Sequence, residues 1–450
     1  MRVPPVSGAR DRHRDRSAIY GLTRLLQIAG CSAWYLARFL AHSAWAGMFA
    51  GTARPVLAGR YAAACCEALG PFFIKVGQIL GTRRDLLPPA AADQLARLQD
   101  SARPVRASRR EAWLRASLGA APERWFAEFE RAPIASASIA QVHRARLHDG
   151  LLVAVKIRRP GIVRAIRADC RAACLLAAWI ERLPGWRSVP LRAIMDEFGR
   201  VIEAQLDFDR EADNCDRMRT NVAPLEYVVV PRIHRQFCSE RVLTMEYLSQ
   251  LTSTSEAAGW SYEERSRTAV RSVHAVYTMT FVHGFLHGDL HPGNLFFRPG
   301  GILVLLDFGI VADLDGINLK HFADFFFGIV TNNGRDCARV IYQTAIDPPA
   351  AAWDGFAADM DEMVGRYSRK RAREFEVSRF AVELFDCQRR HGVRGSTRFM
   401  TTILAFTVFE GIAKQIDPEL DFQGEARQFI PQVLRRLAHP HPRAEAHARA

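Results

Sequence analysis

Four polar residues set in apolar surroundings define the chemistry open to this chain: Lys156, Asp289, Asn294 and Asp307. Lys156 lies in VAVKI (153–157), a β-branched run that reads as a strand, where a lysine is costly to bury unless it is paired. HGDLHPGN (287–294) reads as a polar loop punctuated by Gly288, Pro292 and Gly293, with apolar Leu295, Phe296 and Phe297 following as a strand. In LLDFG, Asp307 ends an apolar strand over 302–306, a common way to present a metal ligand. One short hairpin between Asp289 and Asp307 brings Asp289, Asn294 and Asp307 together. Two Asp and one Asn offer hard oxygen ligands suited to Mg²⁺ on phosphates, whereas Zn²⁺ favours His and Cys. Upstream, ASASIA (135–140) is a turn of small residues that lets backbone N–H groups approach phosphates. Together these are the parts of a phosphoryl-transfer enzyme.

The elements that must position these groups follow from periodicity. Residues 141–147 and 151–157 alternate or run β-branched on either side of an Asp-Gly turn, predicting a hairpin. Residues 17–66, 71–86, 162–182 and 191–222 read helical, and 227–234 and 240–248 read as strands. From 255 onward the chain reads mainly helical, interrupted by 285–297 and 300–315. On the 71–86 helix Lys75, Gln78, Thr82 and Asp85 share one face, while Phe72, Phe73, Val76, Ile79 and Leu80 share the other. The chain has five lysines against 56 arginines, so Lys75 on that polar stripe is a choice of type.

The 450 residues suffice for two or three cores, with 49% hydrophobic and 24% charged residues, a globular mix. A net charge of +13 favours an acidic partner such as anionic lipid or nucleotide phosphate. No zinc-finger or RNP-type motif occurs, which speaks against nucleic acid. Nine cysteines without a CxxC read as reduced core thiols. After a basic leader (Arg2, Arg10, Arg12, Arg14, Arg16), charge-free runs cover only 25–37 and 39–53, short of the roughly 20 residues a span needs. There Arg24, Gln27, Cys31, Tyr35, Arg38 and His42 form one helical stripe, opposite Leu26, Ile28, Trp34, Phe39 and Leu40. Such an amphipathic helix lies on a membrane or, more commonly, packs on the protein body.

VAVK, HGDLHPGN and DFG, in that order, resemble the protein-kinase-like fold, and HGDLHxxN is also similar to aminoglycoside-type phosphotransferases. GPFFIKVGQILGTRRDLLP, LQD, PIASASIAQVHRARLHDGLLVAVKIRRPGI, LDFDREADN and EGIAKQIDPELDF together resemble the UbiB/ADCK family of atypical kinases, from about residue 65 to 422. The resemblance implies an α+β, bilobal kinase-like fold with a small β-rich N-lobe and a mainly helical C-lobe. Its domains would be a basic, disordered leader (1–16), a helical extension carrying the KxGQ motif (17–105), an N-lobe with a helical insertion (106–248), a C-lobe (249–438) and a disordered tail (439–450).

The resemblance further implies roles for single residues. Lys156 binds the α- and β-phosphates of ATP and pairs with Glu211. Ala135, Ser136, Ala137 and Ser138 form the Ala-rich loop over the nucleotide. Met245, Glu246 and Tyr247 form the hinge that meets adenine. Asp289 stands at the catalytic-base position, and Asn294 and Asp307 hold Mg²⁺. Lys75, Gly77 and Gln78 belong to a regulatory helix over the phosphates, where they restrict protein substrates. Gln205 and Asp207 occupy the ExD-like pair, so the first acidic position is neutral here; Glu203 lies out of register. Ser136 replaces a more usual alanine, which is expected to be a small change. Many bacterial relatives end in membrane-spanning helices, whereas RRLAHPHPRAEAHARA is too polar to span. The function so implied is an ATP- and Mg²⁺-dependent atypical kinase or ATPase acting on water or a small or lipid-like acceptor. Its setting would be isoprenoid-quinone (ubiquinone) or related lipid metabolism, in the cytoplasm at an anionic membrane, beside lipid-biosynthesis proteins. The alternatives are a nucleotide-binding pseudokinase scaffold and, more weakly, an aminoglycoside-type phosphotransferase, which would lack the KxGQ helix.

Overall fold

A computed structural model of the chain describes residues 14–49, 54–82, 87–98, 104–182, 191–314, 316–345, 348–368, 377–393, 397–421, 424–426 and 429. The basic leader up to residue 13, Asp85 and the 439–450 tail lie outside the described residues. The chain forms two compact units: Met1–Asp213 with Ile233–Tyr247, and Asn214–Arg232 with Leu248–Ala450. It enters the second unit for the last time after Tyr247, in the stretch expected to be the hinge.

The first unit opens with helices α1 (Arg14–Phe49), α2 (Arg54–Leu69), α3 (Pro71–Thr82), α4 (Pro89–Leu95) and α5 (Ala107–Leu118). Strands β1 (Glu128–Phe129), β2 (Ala135–Ser136), β3 (Ala140–Arg146) and β4 (Leu152–Arg158) follow. Helices α6 (Ile162–Ile180), α7 (Leu191–Ala204) and α8 (Phe208–Val222) come next, and the partition between the units falls within α8. Its sheet runs β1-β3-β4-β6 with β2 also on β3, where β6 is Val242–Glu246 and every pairing is antiparallel. The hairpin turns where expected: Asp149 Oδ1 accepts from Leu151 N at 3.0 Å and Gly150 takes φ 91°.

Strand alternation sorts β4. Val153, Val155 and Ile157 enter a core with Trp113, Leu114, Leu118, Trp125, Phe126 and Val242. Lys156 therefore stands on the other face.

The helical run expected over 191–222 is two helices. The chain breaks at 205–207 because Asp207 caps α8, its Oδ1 accepting from Arg210 N at 3.0 Å. A competing side-chain acceptor ends one helix and starts the next without disturbing the apolar period.

In the helical extension, glycines let backbones touch. A Cβ on Gly77 would lie 2.4 Å from Leu98 Cδ1 and 3.2 Å from Cys66 Sγ, and one on Gly81 would lie 2.5 Å from Ala96 N. Backbone cannot yield as a side-chain end can. Gly81→Ala is therefore expected to lower stability by about 1–3 kcal/mol despite alanine's better helix propensity, measured by urea unfolding.

The amphipathic α1 packs through the stripe read as polar. Arg24 pairs with Asp169 and donates to the Leu69 carbonyl, His42 meets the Tyr61 hydroxyl at 3.2 Å, and Arg38 lies over the Tyr61 ring. Ile28 alone of the expected apolar face is fully covered, with Leu25, Cys31 and Leu176 around it. Leu26, Trp34 and Leu40 face solvent, joined by Leu36 and, on neighbouring α6, Leu175 and Trp179. Polar groups that find partners can be buried at little cost, so amphipathicity alone does not say which face turns inward.

The second unit contains β5 (Val228–Val229), helices α9 (Thr254–Ala257) and α10 (Tyr262–Tyr277), and strands β7 (Phe285–His287), β8 (Leu295–Arg298), β9 (Ile302–Leu305) and β10 (Val311–Asp313). Helices α11 (Gly316–Val330), α12 (Gly334–Thr344), α13 (Trp353–Ser368), α14 (Val377–Arg390) and α15 (Thr397–Ile416) complete it. Its strands form a three-stranded sheet, β5-β9-β8, and a β7-β10 ribbon. An aromatic core of Tyr277, Phe281, Phe322, Phe326 and Phe406 packs the helices together. Among the described residues, no helix is long and apolar enough to cross a membrane.

Candidate functional site

In the first unit Lys156 is paired, as its position in a strand required. Its Nζ donates to Glu211 Oε1 and Oε2 at 2.7 and 3.0 Å, with the side chains 8% and 2% exposed. The ammonium also lies 5.5 Å from the centroid of the Phe208 ring. Glu211 reaches it from the first turn of α8, the helix that Asp207 caps. Asp207 thus holds the start of the helix that presents the glutamate. Gln205, two residues before it in the chain, is buried, and its Nε2 has no partner among the described residues. Glu203 is turned to Arg167, 3.5 Å away.

The Ala-rich loop is tied down by two residues of the same motif to which the resemblance gave no role. Arg159 Nε donates to the Ala137 carbonyl at 2.8 Å, and its Nη2 to Ser136 Oγ at 2.8 Å. Gln141 Nε2 also donates to Ser136 Oγ, at 3.1 Å. Ser136 thus accepts two hydrogen bonds that an alanine there could not. Ser138 is buried, and Ala135 pairs with Val142 across the β2-β3 ladder. In the expected hinge, Met245 and Glu246 close β6 against Ala154 and Val153, and Tyr247 N donates to the Leu152 carbonyl. On α3, Lys75 is half-buried, and Gln78 Nε2 donates to the Leu98 carbonyl at 3.0 Å. With Gly77 seated against Leu98, two of the three KxGQ letters dock the helix on its neighbour.

In the second unit one imidazole organises the loop. His287 Nε2 donates to the Leu306 carbonyl at 2.9 Å, and its Nδ1 accepts from Asp289 N at 3.2 Å. It links the loop carrying Asp289 to the strand end carrying Asp307. Asn294 Nδ2 donates to the Asp289 carbonyl at 3.0 Å, and Leu306 N donates to the Asn294 carbonyl at 2.9 Å. Asp307 is exposed with φ 58°, and its Oδ1 accepts from Gly309 N at 3.2 Å. Phe308 is buried against the His287 ring, and its carbonyl accepts from Asn214 Nδ2 at 2.9 Å. Asp289 and Asn294 are thus tied by hydrogen bonds to Leu306, the residue before Asp307, and the three side chains offer oxygen donors of the type that suits Mg²⁺.

Burial lowers the His287 pKa below its ordinary 6.5, outweighing the Leu306 carbonyl and the carboxylates of Asp289 and Asp307, which raise it. The acceptor role of Nδ1 requires the neutral ring. The unfolded chain takes up this proton at a higher pH than the folded one, so the contribution is complete above about pH 6.5 and shrinks as pH falls below it. The melting temperature is expected to fall between pH 6.5 and 5.5, and His287→Gln, which cannot titrate, should flatten that fall.

The ABC1 atypical kinase-like domain is matched over residues 97–341, more than half the chain. "Probable protein kinase UbiB" of Sodalis glossinidius (strain morsitans) is 31% identical over 376 residues, 82% of this chain and 69% of that protein. Among solved structures, the Rv3197–erythromycin complex from Mycobacterium tuberculosis is similar with a TM-score of 0.55, at 21% identity over 80% of this chain and 92% of that one. That likeness is one of fold. A kinase-like α+β fold, the domain match and the UbiB relative agree: the chain belongs to the UbiB/ADCK family of ABC1-type atypical kinase-like proteins.

Proposed function

We propose that this protein binds ATP with Mg²⁺ and transfers the γ-phosphoryl group to water or to a small or lipid-like acceptor, supporting isoprenoid-quinone or related lipid metabolism at a membrane surface. The observation that carries this reading is the buried Lys156–Glu211 pair. A buried ion pair adds little to stability compared with apolar residues of similar volume, so its presence here supports a use beyond packing. In this reading Lys156 steadies the α- and β-phosphates and Ala135, Ser136, Ala137 and Ser138 cover them. Met245, Glu246 and Tyr247 offer backbone to the adenine. Asn294 and Asp307 hold the metal, which neutralises developing charge when bound, and Asp289 accepts the proton of the attacking hydroxyl. Lys75 and Gln78 restrict protein substrates and tune nucleotide choice.

The membrane part of the reading is supported by the outward apolar face of α1. Leu26, Trp34, Leu36 and Leu40, with Leu175 and Trp179 of α6, suit shallow insertion, since tryptophan favours the headgroup boundary. The net charge of +13 favours an anionic surface.

The test is ATP turnover by the purified protein with Mg²⁺, alone, with neutral vesicles and with anionic vesicles. Anionic vesicles should raise turnover, and a Trp34→Ser/Leu40→Ser variant should lose that rise. Binding of ATP without phosphate release under any condition would sink the enzyme reading and leave a nucleotide-binding scaffold.

A further inference from the structure

Helices α13 and α14 bring together three donors that the reading above does not use. Cys387 and His391 are four residues apart, one helical turn, and His391 N donates to the Cys387 carbonyl at 3.2 Å. Asp359 faces them from α13. One donor atom from each of Asp359, Cys387 and His391 lies within 4.8 Å of the other two. We propose that these residues form a binding site for one borderline-soft divalent ion of the Zn²⁺ class.

The donor set selects the metal. A carboxylate oxygen, a thiolate sulfur and an imidazole nitrogen suit Zn²⁺, whereas Mg²⁺ prefers oxygen alone. Thiolate and carboxylate together balance a double positive charge, which suits the partly buried position of the group. Three protein ligands leave a fourth tetrahedral position for water. The carboxylate–imidazole edge needs little change, since His391 Nε2 and Asp359 Oδ2 are 2.9 Å apart, while the Cys387 thiol lies within 4.8 Å of both. Ligand atoms around Zn²⁺, with bonds of about 2.0–2.1 Å, stand about 3.3 Å apart along a tetrahedral edge.

The surroundings favour the geometry. The His391 ring is held edge-on to buried Phe356, with centroids 5.9 Å apart. A Cβ on Gly355 would lie 3.0 Å from His391 Cε1, so α13 gives up a side chain where the ring sits. The competitor is Arg390, whose Nη1 lies 2.8 Å from Asp359 Oδ2. It is more than half exposed, and Asp386, 3.8 Å from its Nε, is an alternative partner. Metal binding moves the Arg390 guanidinium to Asp386 and releases the Cys387 thiol proton to solvent, leaving the thiolate on the metal.

The experiment uses the full-length protein stripped with chelator and titrated with Zn²⁺, with Co²⁺ as a spectroscopic stand-in. One equivalent should bind, Co²⁺ should show a sulfur-to-metal charge-transfer band, and Cys387→Ser should remove that band. His391→Gln and Asp359→Asn should each weaken Zn²⁺ binding by at least about 10–100-fold. A hundredfold excess of Zn²⁺ over its dissociation constant should raise the melting temperature by about 5–10 °C. Arg390→Gln supplies the opposite sign, because removing the competing cation should tighten binding several-fold. Asp307→Asn should leave Zn²⁺ binding unchanged. Absence of stoichiometric binding, or a charge-transfer band that survives Cys387→Ser, overturns the proposal and leaves a structural ion pair beside a buried thiol.

Discussion

Replacing Asp307 with Asn will leave the fold intact and lower Mg²⁺-dependent ATP turnover by at least about 10²-fold. The choice of Asn follows from the backbone. Asp307 sits at φ 58°, a conformation that Asp and Asn tolerate and that most side chains resist. Its Oδ1 also closes a local turn by accepting from Gly309 N. Asn keeps the left-handed backbone and the acceptor, and removes only the negative charge that the proposed metal site would use. Alanine would add about 1–2 kcal/mol of backbone strain and lose the turn, so its failure would say nothing about metal binding. Phosphate release against Mg²⁺ concentration, with the melting temperature alongside, reads the result. Wild-type turnover in Asp307→Asn would remove Asp307 from the metal.

Lys156→Met should destabilise the first unit by about 3–5 kcal/mol, because it leaves the Glu211 carboxylate buried and unpaired. The pair is 8% and 2% exposed, so water cannot replace the lost ammonium. Combining Lys156→Met with Glu211→Leu should recover most of that loss, since two apolar residues of similar volume need no partner. Urea unfolding of the single and double variants measures the coupling. Neither variant should retain wild-type ATP affinity. If the double variant is as unstable as the single one, the pair is not energetically coupled and the loss came from packing.

Much of the local structure was legible in the residues. The β3-β4 hairpin followed from alternation around Asp149 and Gly150, and the strand, loop and strand around Asp289 and Asp307 followed from apolar runs broken by Gly and Pro. Short-range rules suffice there because the deciding contacts lie a few residues apart. The break before α8 was hidden, because the apolar period runs through 205–207 while a single cap at Asp207 decides the boundary. The partner of Ser136 was also hidden: Arg159 stands 23 residues on, in the same motif, but only the fold brings the two together. Cys387 and His391 had a readable one-turn spacing, but Asp359 joins them only through helix packing.

The sequence by itself singled out the candidate residues, because Lys156, Asp289, Asn294 and Asp307 are polar groups in apolar runs that demand a reason. It also determined the elements that carry them. Only tertiary structure decided the partners. Lys156 meets Glu211 across 55 residues, and Arg24 meets Asp169 across 145. The second pairing turned the polar stripe of α1 inward and left Trp34 outside. His287 likewise became a neutral clamp only because the fold buries it. Burial and charge pairing are properties of neighbours in space, and a periodic pattern along the chain contains no record of which neighbour arrives.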